Sequence, residues 1–366
     1  MQPMTFGVEE EFLVIDADDG ELVPRSKELL PEARLVLGDE VSPELNLCQI
    51  EVGTPVCRRT DELRDHLVRL RRGLSLSGAD LGLQIAATGT HPFSSWTDQE
   101  VDHSSDRFSR IEDVYRIVAR QQVICGCHVH VGIDDPDLAI QVMNHVRPHL
   151  GALLSLSANS PFWHGIDTGY DSYRLQVWER WPTAGLPPEL EDRAAYDELV
   201  ERLENVEAIE DATFLYWHVR PSVQYPTLEF RIGDVCLHVD DTVAYAALIR
   251  GLAWSTAQEI LTGTPAPLPE PDVMLSSIWR AGRYGLSEEL LSPVDWELKP
   301  AVDVLSETLD HCRPGLEAHG DWDLVREWVA RTLRDGNGAA RQRQTFERDG
   351  DPRSVIGRIA RETVPG

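Results

Sequence analysis

One stretch constrains the fold more than any other: Thr5-Phe6-Gly7-Val8-Glu9-Glu10-Glu11-Phe12-Leu13-Val14-Ile15-Asp16. Val8, Phe12, Val14 and Ile15 favour a strand. Strand side chains alternate faces, so Glu9 and Glu11 point one way and Glu10 the other. Two carboxylates on one face repel unless something positive lies between them. A solvated face would satisfy them, and so would a divalent cation, because Mg²⁺ and Mn²⁺ take oxygen ligands. Recurrence of the pattern elsewhere in the chain favours the cation.

It recurs in three further stretches. In Glu44 to Pro55, Cys48, Ile50 and Val52 form one face, while Leu47, Gln49 and Glu51 form the other. Glu44 precedes Glu51 by an odd separation, so it can reach the same site only from a loop or across a bulge. In Gly126 to Ile133, Cys127, Val129 and Val131 share one face and His128 and His130 the other. Imidazole can join carboxylates on such a metal, or contact phosphate. In Thr227 to Asp234, Leu228, Phe230 and Ile232 oppose Glu229 and Arg231. A salt bridge alone would explain that last pair.

Four strands with one apolar and one polar face predict an antiparallel sheet, packed on helices on one side and open on the other. The open face would carry four carboxylates, two imidazoles and a guanidinium. Divalent cations compensate such a density of acid. Two or more metals among carboxylates suit phosphoryl transfer from ATP, with Arg231 offsetting charge on the transferring group. The chain contains neither a GxxxxGK[ST] loop nor a GxGxxG turn, which argues against a P-loop or Rossmann site.

Helical spacing fills the intervals. Thr60 reads as the cap of a helix to about Arg72. Residues 107–122 read as one helix with Phe108, Ile111, Val114, Tyr115 and Val118 inward. Asp135-Pro136 opens another, kinked at Pro148. A further helix spans 194–209, and one capped by Asp240 runs to about Leu261. Residues 165–188 read as an irregular binding loop carrying Arg174, Trp178, Arg180 and Trp181. Residues 264–271 read as a stiff proline linker. Beyond it the chain looks helical, with Trp279, Trp296, Trp322 and Trp328 as core anchors and a basic helix start at Arg341. The division is a sheet-forming part, about 1–263, and a helical part, about 272–366, of a single catalytic domain.

Composition narrows the partners. The 366 residues carry a net charge of −28, which argues against a general nucleic-acid binder. Six cysteines without a CxxC pair, mostly in apolar strand-like stretches, read as buried reduced thiols. No signal-peptide pattern and no run of about 18 apolar residues is present, so a cytoplasmic protein without a membrane partner is expected.

Several stretches together resemble one known family: Gly7-Val8-Glu9-Glu10-Glu11-Phe12, Gln49-Ile50-Glu51-Val52-Gly53-Thr54-Pro55, Cys125-Gly126-Cys127-His128-Val129-His130-Val131-Gly132, Ser157-Ala158-Asn159-Ser160-Pro161-Phe162-Trp163, Pro226-Thr227-Leu228-Glu229-Phe230-Arg231 and Gly336-Asn337-Gly338-Ala339-Ala340-Arg341-Gln342-Arg343. The family is glutamate–cysteine ligase type 2, specifically its YbdK-type carboxylate–amine ligases, in the glutamine synthetase-like superfamily. The resemblance runs in order from about residue 5 to 363. It implies an α+β fold with a curved antiparallel sheet, helices on the outer face, and ATP and two or more Mg²⁺ or Mn²⁺ ions on the concave face. It implies Glu9, Glu11, Glu51, His128 and Glu229 as metal ligands, Glu44 as a less regular partner, and Arg231 as the residue stabilising phosphoryl transfer. His130, Arg174, Arg180 and Arg341 are the expected substrate or nucleotide contacts. The implied reaction joins a carboxylate, the γ-carboxylate of glutamate, to an amine such as cysteine through an acyl phosphate. The implied partners are small-molecule acids and amines, and a homo-oligomer is compatible with the sequence. The rival readings are a metal-dependent amide hydrolase, which would turn over without nucleotide, and a non-catalytic ligand-binding relative.

Overall fold

The glutamate-bearing segment is the axis of the molecule. In the computed structural model, which describes residues 2–265 and 268–365, it forms strand β1 (Phe6–Asp16). The main sheet adds β2 (Val41–Pro43), β3 (Gln49–Gly53), β4 (Leu83–Ala86) and β5 (Gly126–Gly132). Short β6 (Phe162–Trp163) and β7 (Ile166–Asp167) pair as a separate ribbon. The main sheet is completed by β8 (Val219–Pro221) and β9 (Thr227–Asp234), and a second ribbon pairs β10 (Glu289–Leu291) with β11 (Leu298–Pro300). The main sheet has the order β2-β3-β1-β5-β9-β8, with β4 beside the second half of β1. Every pairing in it is antiparallel.

Alternation decides what each face meets. Phe6, Val8 and Phe12 of β1, Val129 and Val131 of β5, and Leu228, Phe230 and Ile232 of β9 are buried. Against this apolar side pack α2 (Thr60–Ala79), α5 (Pro136–Val146), α6 (Leu150–Ser157) and α9 (Val239–Thr262). On α9 in turn pack α11 (Ala301–His319) and α12 (Trp322–Asp335). The α+β architecture with an antiparallel sheet is as expected. No helix among the described residues is long and apolar enough to cross a membrane. All six cysteines are free and buried.

Several local expectations need correction. Helix α2 starts at Thr60 with Arg59 as its cap and runs to Ala79, beyond Arg72. The helix expected over 107–122 breaks into α3 (Asp106–Tyr115) and α4 (Ile117–Arg120), because Arg116 adopts φ 52. Its stripe is shallow: Ile111 is buried while Val114 is exposed. Pro148 does interrupt its helix, as a 3-10 turn over Arg147–His149 between α5 and α6. The loop over 165–188 contains a short helix, α7 (Tyr173–Trp178). The helix expected over 194–209 is α8 (Arg193–Asn205). His238, not Asp240, caps α9, and Asp240 pairs with Arg64 on its first turn. Of the four expected tryptophan anchors only Trp328 is buried; Trp279 is exposed, and Trp296 and Trp322 are half-buried. Trp279 and Trp322 lie on C-terminal helices and Trp296 in the turn between β10 and β11, each with solvent on one side. Part of the expected linker, residues 266 and 267, lies outside the described residues.

Candidate active site

Register brings the polar residues into a row. Glu11 of β1 stands opposite Glu51 of β3, and Glu9 stands opposite His128 of β5. His130 of β5 faces Glu229 of β9, and Glu229 faces Arg220 of β8. Glu44 enters from the turn between β2 and β3, the loop route that its odd spacing required. Three overlapping groups result: Glu11/Glu44/Glu51, Glu9/Glu51/His128 and Glu9/His130/Glu229, each with ligand atoms within 4.8 Å of one another.

The two ends of the row differ in charge. At the β8–β9 end, Glu229 is held by two cations. Arg220 donates from Nε at 2.9 Å, and Arg231 donates to the other oxygen. Burial acts to raise the Glu229 carboxyl, but Arg231 and Arg220 outweigh it and hold the group well below the carboxylate range. Arg231 keeps an unpaired buried Nε and lies over the Trp178 ring at 5.1 Å. At the β2–β3 end, each carboxylate receives a single neutral donor. The Gly126 N–H donates to Glu11 at 2.6 Å, the Ser42 hydroxyl to Glu51 at 3.0 Å, and the Leu45 N–H to Glu44 at 2.9 Å. Burial and then the neighbouring Glu11 push the Glu44 carboxyl up to about 7. Burial followed by Glu9, Glu44 and Glu11 drives Glu51 well above its ordinary value.

The histidines sit between these ends. His128 Nδ1 is 3.5 Å from Glu9 and its Nε2 is 3.6 Å from Glu11, yet neither buried nitrogen has a hydrogen-bond partner among the described residues. Burial, then Arg231, pushes this imidazole below its ordinary value, toward the neutral form that can ligate a metal. His130 lies 3.4 Å from Glu9 and its Nδ1 lies 2.9 Å from the Thr227 hydroxyl. Crowded carboxylate oxygens with unpaired ring nitrogens form a donor set that fits divalent cations. His130, expected as a substrate or nucleotide contact, falls inside the third group.

Three other expected contacts sit elsewhere. Arg174 is buried, donates from Nη1 and Nη2 to the Ile232 and Arg231 carbonyls of β9, and stacks over Trp178. A Cβ at Gly126 would stand 2.3 Å from its Nη2, so that glycine makes room for the guanidinium. Arg174 therefore braces the strand that carries Arg231. Arg180 is half-buried and donates to Gln121 at 2.6 Å. Arg341, on α13 (Gly338–Asp349), pairs with Asp241 of α9 at 3.2 Å. That is the helix-covered side, away from the row; an arginine at a helix start carries no signal of which face it will meet.

Two residues escaped the sequence reading. Arg220 was hidden because Pro221 follows it and β8 is only three residues long. His218 is fully buried with both ring nitrogens lacking hydrogen bonds, and its Nε2 is 3.5 Å from Glu179. Alternation with the core residue Val219 was the available signal for both.

Comparison with known proteins identifies the family and the fold. The model of the glutamate–cysteine ligase family 2 matches residues 5–360. A Rhodopirellula baltica protein provisionally named glutamate–cysteine ligase 2 is 38% identical over 369 residues, covering 100% of this chain and 98% of its own. A Mycolicibacterium smegmatis protein provisionally named glutamate–cysteine ligase 2-2 is 39% identical over 363 residues, covering 99% and 90%. Among solved structures, the glutamate–cysteine ligase of Francisella tularensis in complex with AMP superposes with a TM-score of 0.77 at 13% identity, covering 100% of this chain and 89% of that one. The ligase PafA, solved with the ubiquitin-like protein Pup, superposes at 0.58 with 12% identity, covering 99% and 73%.

Proposed function

The chain belongs to the glutamate–cysteine ligase family 2, and from that premise we infer that it is an ATP-dependent carboxylate–amine ligase. The observation that carries this reading is the row itself: Glu9, Glu11, Glu44, Glu51 and Glu229 with His128 and His130, ending at Arg231. Two or more Mg²⁺ or Mn²⁺ ions held by the three groups would neutralise the ATP phosphates. The γ-carboxylate of glutamate attacks the γ-phosphorus, the bond to the β-phosphate oxygen breaks, and ADP leaves. Arg231, with an unused Nε donor, stabilises the charge on the phosphoryl group in transfer. An amine then attacks the acyl phosphate carbon, phosphate departs with the bonding pair, and the amine proton passes to solvent. Glu229 and Trp178 hold Arg231 in place, and Arg174 fixes the backbone behind it.

The test is ADP release with Mg²⁺, glutamate and a panel of amines including cysteine, beside Glu9→Gln and Arg231→Ala. Amine-dependent ADP release that both variants lose is expected. Amide turnover without nucleotide would instead favour the hydrolase reading.

A further inference from the structure

Beside the row lies a second feature that the reading above does not use. A cleft of about 470 Å³ opens between α8 and the β8–β9 hairpin, within the range of small-molecule sites. Tyr225 is its common wall with the row: it lines the cleft, and its ring meets His130 edge-on at 6.2 Å. Pro221 and Pro226, which also line it, adjoin the two strands that carry Arg220 and Glu229.

The lining is acidic and aromatic. Helical spacing sets Arg193, Asp197, Glu201 and Glu204 along one stripe of α8 facing the cleft. Tyr196 is 3% exposed and lines the cleft, yet its hydroxyl makes no hydrogen bond among the described residues. Glu201 and Glu204 have no ion-pair partner among the described residues, whereas Arg193 is neutralised by Asp197 at 2.8 Å. Arg193 also shows what this wall holds: its guanidinium lies 5.1 Å over the Tyr196 ring while touching that carboxylate. Carboxylate beside an aromatic face is a cation site.

Resting on the ligase reading, we propose that this cleft is the amine subsite and that the amine carries a second positive charge at its far end, as a diamine does. The reacting nitrogen reaches toward His130 and Glu229, and the distal cation is held by Glu201, Glu204 and the Tyr196 hydroxyl oxygen. Free cysteine is disfavoured, because its own carboxylate would meet Glu201 and Glu204.

The experiment gives the full-length protein ATP, Mg²⁺ and glutamate with four nucleophiles: 1,4-diaminobutane, butylamine, cysteine and hydroxylamine. The diamine should exceed butylamine and cysteine in kcat/KM by about tenfold, the worth of two exposed charge contacts and one hydrogen bond. The double variant Glu201→Gln/Glu204→Gln should raise KM for the diamine by a similar factor. It should leave kcat, and capture of the short neutral hydroxylamine, unchanged. Calorimetric binding of 1,4-diaminobutane, weakened in the double variant, reads the cleft independently of chemistry. Equal use of butylamine and the diamine, or a variant that binds the diamine as wild type does, overturns the proposal. Absence of ADP release with hydroxylamine would count against the ligase reading alone, leaving calorimetry to decide the cleft.

Discussion

Glu10 leaves β1 toward the helices, and Glu9 and Glu11 leave it toward the open face. Glu10 is fully buried against a fully buried Arg71, which donates to it from Nε at 2.9 Å and from Nη2 at 2.5 Å. The Thr242 hydroxyl adds a bond at 2.7 Å, and the remaining Arg71 donors reach the carbonyls of Cys236, Leu237 and Thr363. Every charge there has a partner supplied by the chain. On the open face, Glu11, Glu44 and Glu51 share one group of ligand atoms and receive only neutral donors. Burying charge without compensation costs stability, so the inner face reads as a finished structural pair. The open face keeps these carboxylates crowded without a charged partner from the chain, which is what the proposed cations would supply.

The largest expected effect contrasts the two arginines. Arg231→Ala should lower kcat by roughly 10³–10⁵, the range for arginines that stabilise phosphoryl transfer. Its thermal midpoint should change little, because Arg220 still compensates Glu229. Steady-state ADP release and a melting curve on the same preparation check both halves. A large loss of stability with modest loss of rate would make Arg231 a second Arg71.

Arg71→Ala should do the reverse, destabilising the fold by about 3–5 kcal/mol because it strands Glu10 in the core. The double variant Glu10→Met/Arg71→Met should recover most of that loss, since it removes both charges together. Urea unfolding of the three proteins measures it. A double variant no better than the single would mean that the carbonyl contacts of Arg71, rather than its charge partner, hold this region.

The open face was the more legible of the two. Alternation exposes Glu9/Glu11, His128/His130 and Glu229/Arg231 because each pair sits on a regular strand with an apolar reverse side. Glu44 was harder to read because it arrives from a turn. The partners of Glu10 could not be read at all: Arg71 lies sixty-one residues away on a helix whose apolar stripe gives no reason to bury an arginine. The packing of Arg174 was hidden for a related reason. A sequence shows an arginine among aromatics, and only the packing of α7 behind β9 turns its donors inward.

Protonation sharpens the comparison at a smaller scale. In the metal-free folded chain, Glu44 titrates at about 7, above the ordinary carboxylate value. Between roughly pH 5 and 7 the folded state holds a proton that the unfolded state has released, so stability falls as pH rises through that window. A divalent cation displaces that proton and relieves the repulsion. Mg²⁺ should therefore stabilise the fold more at pH 8 than at pH 6, by a difference on the order of 1–2 kcal/mol read from melting curves at the two pH values. It should release protons on binding near neutral pH, measurable in a weakly buffered titration. Equal Mg²⁺ stabilisation at both pH values would remove Glu44 from the metal group.

The smallest effect belongs to Arg341, which sequence resemblance had placed among nucleotide contacts. It pairs with Asp241 beside Arg331, and Asp241 also accepts from the Trp328 indole at 3.1 Å and contacts His238 at 3.2 Å, so the carboxylate keeps three partners when Arg341 is removed. Arg341→Ala should cost about 0.2–1 kcal/mol, the scale of a partly exposed ion pair with redundant partners. Its KM for ATP should match wild type, because Asp241 sits on α9, on the side of the sheet opposite the metal-ligand row. A raised KM for ATP with an unchanged melting curve would show that nucleotide reaches the helix-covered face, and the division of labour between the two sides of β1 would have to be redrawn.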